Sequence, residues 1–185
     1  MAVYKTCYPK VRLILETNRL ESILTDVESG LADIGFMFSG YPRKGLHMEP
    51  VASMQAVCLC RKDHPFAANE EITPADLEGV DLGGPQTENR AGLEIANAFR
   101  GAGHDYSPEV EVWFMGSAAM MVRAGWGVTI VDSLTAKNAL TEDLVIKPVA
   151  PVVDFSVIYA TAVHKTVPHH LKKLITLFKE MTAAK

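Results

Sequence analysis

Asp63 and His64 stand side by side in RKDHPFAANEEITPADLEG, residues 61–79. A carboxylate beside an imidazole is raw material for general acid–base catalysis, because the acid can hold the ring's tautomer and its charge. That chemistry also needs a reacting proton within about 3 Å of the ring, and no nucleophile is marked anywhere in the sequence. The flanking residues have structural readings instead. Pro65 follows the pair directly, Thr73 reads as a helix cap, Pro74 fits the first helical position, and Asp76 lies three residues past the cap. Asp63–His64 therefore reads as a joint between elements.

The other reactive types give no catalytic pattern either. Cys58 and Cys60, in AVCLC, lie two apart and share one face of a strand. They are poorly placed to bridge each other. With Cys7 they make no even disulfide framework, and no Cys/His set with zinc spacing follows. The expectation is two buried, reduced thiols. His169 and His170 are adjacent, whereas a metal on a helix face wants a spacing of four. With Lys172 and Lys173 they read as a solvated face, and His47, His104 and His164 are scattered singles. There is no Gly-x-Ser-x-Gly elbow, and GGP is too short for a phosphate loop. Ala-Gly-Trp-Gly (124–127) follows a helix and precedes a strand, the reverse of a dinucleotide fingerprint. The expectation is no enzyme, no cofactor and no metal.

The elements that must position any site alternate. VRLIL (11–15) predicts a buried strand. Leu20, Ile23, Leu24, Val27 and Leu31 form one helical face, with Asn18 as cap, Glu21 completing a capping box, and Gly30 as the stop. ADIGFMF predicts a second buried strand, and strand–helix–strand with apolar strands implies a covered parallel sheet. LHMEPVASMQAVCLCR (46–61) reads as one long extended segment passing from one sheet to another. Beyond the short Thr73 helix, the pattern continues: strand VDLGG, a helix capped by Thr87, strand EVEVWFM, helix GSAAMMVRAGWG, strand VTIVD, helix SLTAKNAL, strands LVIKPV and FSVIYATAV, and a last helix opened by Pro168. The fold class is α/β.

With 185 residues, 48% of them hydrophobic, the chain has enough material for one domain or two small lobes. The net charge of −4 gives no positive field to attract nucleic acid. No apolar run approaches the roughly 20 residues of a membrane span. MAVYKTCYPK lacks the apolar core of a secretory signal, so the cytoplasm is the expected location.

At DHPFAANEEITPADLEG the pattern resembles the effector-binding domain of LysR-type transcriptional regulators. YPKVRLIL, LTDVESGLADIGF and MMVRAGWGVTIV resemble further segments of that family in order and spacing, so the resemblance covers essentially the whole chain. It implies two Rossmann-like lobes joined by crossing strands, similar to type 2 periplasmic binding proteins. Lobe I is expected over 1–55 and lobe II over 56–163, with a C-terminal helix, 164–185, returning to lobe I. The family's helix-turn-helix is absent from this sequence, so DNA is expected as a partner only through that missing part. The family's first effector-domain strand is also absent. It would lie between VRLIL and ADIGF, and the loop after it usually helps to hold the effector.

In open α/β sheets, ligands bind beyond the carboxyl ends of strands, where helix N-termini offer free N–H groups. Those ends carry Thr17, Asn18 and Arg19; Phe38 and Ser39; Thr87; and Trp113, Phe114 and Met115, with Ser117 near the next helix start. Hydroxyls, amides and helix N–H groups favour a small organic anion. Arg19 could add charge or remain solvated. Trp113 and Phe114 point to opposite faces, so at most one meets a ligand. Met115, Met120, Met121 and Trp126 also have core readings. The leading function is a sensor that closes on a small anionic effector in the cleft between the lobes, within a homodimer or larger homo-oligomer. Binding by the isolated chain is expected to be weak or nil. A periplasmic-type solute-binding protein, a small α/β enzyme and a pure assembly module pairing through helices 20–29 and 87–100 are the alternatives.

Overall fold

The computed structural model describes residues 2–183, which form two compact units. One comprises the chain up to Ser53 together with Ser156 onward; the other runs from Met54 to Phe155. The sequence expectation kept residues 56–163 together; here the last strand divides near its own start.

In the first unit, α1 (Ala2–Cys7) and α6 (His169–Ala183) pack together. Tyr4 is buried against Tyr8, with ring centroids 5.3 Å apart, and Tyr8 meets His170 edge-on at 6.1 Å. His170 thus serves packing. Helix α2 (Leu20–Ser29) buries Leu24 and Val27 against Met37 and Ala160. It ends at Gly30, whose φ of 80° is a left-handed cap. Strand β1 (Gly35–Phe38) runs antiparallel to β7 (Asp154–Ala162), with Phe36 opposite Tyr159. Strand β7 neighbours β2 (Leu46–Arg61), the continuous extended segment expected, which passes from the first unit into the second.

Four expectations fail in this unit. Residues 11–19 have no regular structure, and Ile14 and Leu15 are 71% and 74% exposed. A strand persists only if a neighbour takes up its N–H and C=O groups, and no described strand lies alongside these residues. Asn18 does not cap α2. The cap position is Arg19, which is extended and makes no side-chain cap hydrogen bond. Glu21 completes no capping box, because its carboxylate takes the Tyr41 hydroxyl and the Arg43 guanidinium instead. Leu31, 84% exposed, lies beyond the Gly30 stop and so leaves the apolar face.

The second unit holds the carboxyl half of β2, which pairs antiparallel with β5 (Val128–Asp132) and with β6 (Leu144–Pro148). Strand β3 (Leu82–Pro85) pairs parallel with β5 and with β4 (Val110–Val112). Helices α3 (Arg90–Gly101), α4 (Met115–Arg123) and α5 (Ser133–Ala139) complete it. Cys58 and Cys60 are fully buried on β2. A hydrogen bond to Cys60, and then burial, pushes the Cys58 thiol well up, so it is no nucleophile.

The segment after β2 answers the question raised by Asp63 and His64. Asp63 forms a two-pronged pair with Arg61 at 3.1 Å. His64 Nδ1 accepts the Phe66 N–H at 3.2 Å, capping a short 3-10 turn (Pro65–Ala68). Thr73 then caps a second such turn (Pro74–Leu77), donating from its N–H and its hydroxyl to Asp76 Oδ2 at 2.7 and 2.6 Å. The Thr73 hydroxyl bond, then the backbone one, holds the Asp76 carboxyl below its ordinary value of 3.8. A depressed carboxylate stabilises the fold above its unfolded pKa and ceases to as pH falls through its folded value. Asp76→Ala should therefore cost about 1 kcal/mol at neutral pH and less in acid. Urea denaturation at the two pH values measures both; equal losses would show that the charge plays no part.

Candidate functional site

In the second unit the carboxyl ends of β3 and β4 lie together. Pro85 pairs with Val112, and the Gln86 N–H continues the ladder to Val112 O at 3.0 Å. The chain then turns through Thr87 and Glu88 to Asn89. Asn89, not Thr87, caps α3: its Oδ1 accepts the Gly92 N–H at 2.8 Å, and its Nδ2 donates to Trp113 O at 3.3 Å. One amide thus binds the start of α3 to the segment after β4. Its position immediately before the helical run was the available sequence signal. Gly92 permits the close approach, because a Cβ there would sit 2.0 Å from Gln86 O.

Thr87 is thereby left half-buried and uncommitted to the cap, one residue past Gln86, whose N–H reaches Val112 O. Trp113, also half-buried, follows β4 directly, while Phe114 points outward, 42% exposed. Ser117 lies exposed in the first turn of α4. Met115 takes its core reading and not the ligand one. It is buried, and its sulfur accepts the Asp132 N–H at 3.1 Å, so it packs the start of α4 against the end of β5. Of the other two methionines, Met120 is exposed and so fills no core gap. Trp126 packs over Gly83, as its core reading implied.

In the first unit Thr17, Asn18 and Arg19 are all exposed before α2. Phe38 and Ser39 are half-buried after β1. Ser39 has φ 36°, a left-handed conformation that side-chain-bearing residues seldom adopt. Strained backbone of this kind collects at ligand-holding positions. The Tyr41 and Arg43 bonds to Glu21 lay the chain after Ser39 along the first turn of α2. Residues 17–19 and 39 are therefore drawn toward one end of that helix.

The starts of α2, α3, α4 and α5 divide into two kinds. Helices α3 and α5 are capped by Asn89 and Asp132. Helices α2 and α4 have no side-chain cap. An uncapped N-terminus keeps N–H groups and the positive end of the helix dipole for an incoming anion. Among the described residues no cluster of three or more His, Cys, Asp or Glu side chains could hold a metal ion, and no helix is long and apolar enough to cross a membrane.

Two α/β units threaded by the same long strand, with an uncapped helix, α4, just past the end of β4, have the layout of a ligand-binding module. A family model described as the LysR substrate binding domain matches residues 1–183. The chain belongs to that family and is an effector-binding domain. It is 25% identical to the uncharacterized HTH-type transcriptional regulator YvbU of Bacillus subtilis, covering 98% of this chain and 61% of that protein. It is 25% identical to the transcriptional activator protein LysR of Escherichia coli, covering 85% of this chain and 51% of that protein. The chain thus spans only part of the length of these relatives. Among solved structures, the Synechocystis CcmR regulatory domain in complex with 2-PG superposes with a TM-score of 0.78 at 16% identity, covering 99% of this chain and 89% of that one. A putative LysR family regulator from Pseudomonas aeruginosa also superposes at 0.78, with 14% identity, covering 98% of this chain and 64% of that one. The relatives are transcriptional regulators, so the domain binds its ligand and does not transform it.

Proposed function

We propose that the domain senses a small organic anion on behalf of a longer DNA-binding regulator, itself a homo-oligomer. The observation that carries this is the contrast in capping. Asn89 and Asp132 close α3 and α5, whereas α4 has no side-chain cap, follows Trp113 directly after Phe114 and carries Ser117 in its first turn. The anion's oxygens are held by the N–H groups of Met115 and Gly116 at the start of α4, the Ser117 N–H being bonded to Phe114 O at 2.9 Å, and by the hydroxyls of Ser117 and Thr87, with the Trp113 ring as an apolar wall. In the first unit the start of α2, with Thr17, Asn18, Arg19 and Ser39, offers the same donor types. Binding favours one conformation of the domain over another, and the attached DNA-binding part reports the shift. That the CcmR domain is seen with 2-PG supports an anionic ligand for a domain of this shape.

Calorimetry with a panel of small carboxylic and phosphorylated acids, each beside an uncharged isostere, tests the reading. A hydrogen bond to a charged group is worth about 1.5–3 kcal/mol. Ser117→Ala and Thr87→Val should therefore each weaken the best anion about 10- to 100-fold. Tight binding of an uncharged, purely apolar compound, or anion binding untouched by both substitutions, would overturn it.

A further inference from the structure

We propose, on the reading of the α2 start as part of the ligand site, that Tyr41 and Arg43 are positioning residues for the anion: they hold the Glu21 carboxylate aside from that helix start, where it would compete with the ligand. The first intrahelical bond of α2 runs from the Ile23 N–H to Arg19 O at 3.0 Å, so the N–H groups of Leu20, Glu21 and Ser22 precede it. Glu21 stands in this first turn. Side chains on a helix lean toward its N-terminus, and a carboxylate is drawn to the positive end of the helix dipole. Left alone, Glu21 would lie over the donors an incoming anion needs and would repel its charge.

The structure sends that carboxylate the other way. One of its oxygens accepts the Tyr41 hydroxyl, and the other takes Arg43 Nη1 at 3.4 Å. The same guanidinium meets Glu28 Oε2 from Nε at 3.0 Å and from Nη2 at 2.9 Å, and it donates to the Thr25 hydroxyl at 3.4 Å. Glu21, Thr25 and Glu28 follow one another along one face of α2. The tighter partner, Glu28, lies about two turns beyond Glu21, so Arg43 draws Glu21 along the helix and away from its start. The bond to Glu21 also raises the Tyr41 phenol above its ordinary value of 10.0, which keeps it a donor. The segment carrying both residues is itself anchored on β7 and β2. The Ser39 N–H donates to Ser156 O at 2.7 Å, and the Leu46 N–H returns to Arg43 O at 3.1 Å. Between them Gly40 passes so close to both strands that a Cβ would lie 2.3 Å from Ile158 and 2.7 Å from Met48. Tyr41 and Arg43 therefore reach α2 from a fixed backbone.

The test is a titration of the isotope-labelled 185-residue chain with inorganic phosphate, read by NMR at the amides of Leu20, Glu21 and Ser22, while the Met115 and Gly116 amides in the same spectra report on α4. Phosphate should shift the three α2 amides. Tyr41→Phe combined with Arg43→Gln should raise the dissociation constant read there about fivefold and leave the α4 response unchanged. Adding Glu21→Gln should restore it, which a merely structural role of the pair would not allow. No response at the α2 amides, no loss in the double variant, or a loss that Glu21→Gln leaves in place each overturns the proposal. The spectra also separate it from the α4 site proposed above. Silent α4 amides beside a responsive α2 start refute that site and leave the role of Tyr41 and Arg43 standing, and the reverse pattern does the opposite.

Discussion

Phe99→Ala should be among the most destabilising single substitutions in this chain, costing about 3–5 kcal/mol. Phe99 is 1% exposed on the inner face of α3, and its ring meets Tyr106 edge-on with centroids 5.5 Å apart. Truncation leaves a void that the surrounding helix and strands cannot close, because neither can move without losing its hydrogen bonds. The loss also spreads toward the ligand site. The Tyr106 hydroxyl donates to Pro85 O at 3.2 Å, at the carboxyl end of β3, and it fits there only because Gly84 has no side chain: a Cβ would lie 2.0 Å from that hydroxyl. Burial keeps this phenol protonated far above its ordinary range, so it donates at every working pH. Without Phe99, Tyr106 loses its backing and the turn carrying Thr87 loosens. For a chain of this length each kcal/mol is worth roughly 2–4 °C, so calorimetric melting should fall by about 6–20 °C. Phe99→Leu should recover more than half of that fall. A drop equal to that of Phe99→Ala would mean that the ring, and not the filled volume, is what matters.

The parts legible in the sequence were those encoded locally. The Thr73 turn could be anticipated because Thr, Pro and Asp sit at fixed offsets and satisfy one another within four residues. The long β2 was legible as an unbroken extended run, and Gly30 as a stop because its left-handed φ is local chemistry. The failures share a cause: each concerns a group whose partner is distant in sequence. Glu21 had every local reason to serve a capping box, but Tyr41 and Arg43, 20 and 22 residues on, outbid the backbone. Val11–Leu15 has strand composition, yet a strand exists only with a neighbour, and composition does not say whether one arrives. Met115 had a lining and a core reading at its strand end, and the Asp132 N–H, 17 residues away, decides between them by claiming its sulfur. Asn89 was missed for a related reason. Thr87 is an equally good cap by type, and the choice between them is made by Trp113 O across the sheet.

Asp132 is the residue that sequence patterning undervalued most, and Asp132→Ala should cost about 2–5 kcal/mol. The sum has two parts. Losing a helix cap costs about 1–2 kcal/mol, and abandoning donors in a dry site adds about 1–3 kcal/mol. The carboxylate is 2% exposed and accepts the N–H groups of Leu134 and Thr135, at 3.1 and 2.9 Å, together with the Thr135 hydroxyl. Its own N–H holds Met115 at the opening of α4. The substitution therefore frees the start of α5 and disturbs the neighbouring helix proposed to receive the anion. Asp132→Asn keeps an acceptor oxygen for the two amides and gives up only the charge, so it should recover at least half the loss. Urea midpoints rank the three proteins, and amide exchange at Leu134 and Thr135 locates the damage. Faster exchange confined to those two amides, with the α4 amides unchanged, would separate the cap from the site. Faster exchange in both would show that the end of β5 sets the geometry in which α4 meets its ligand.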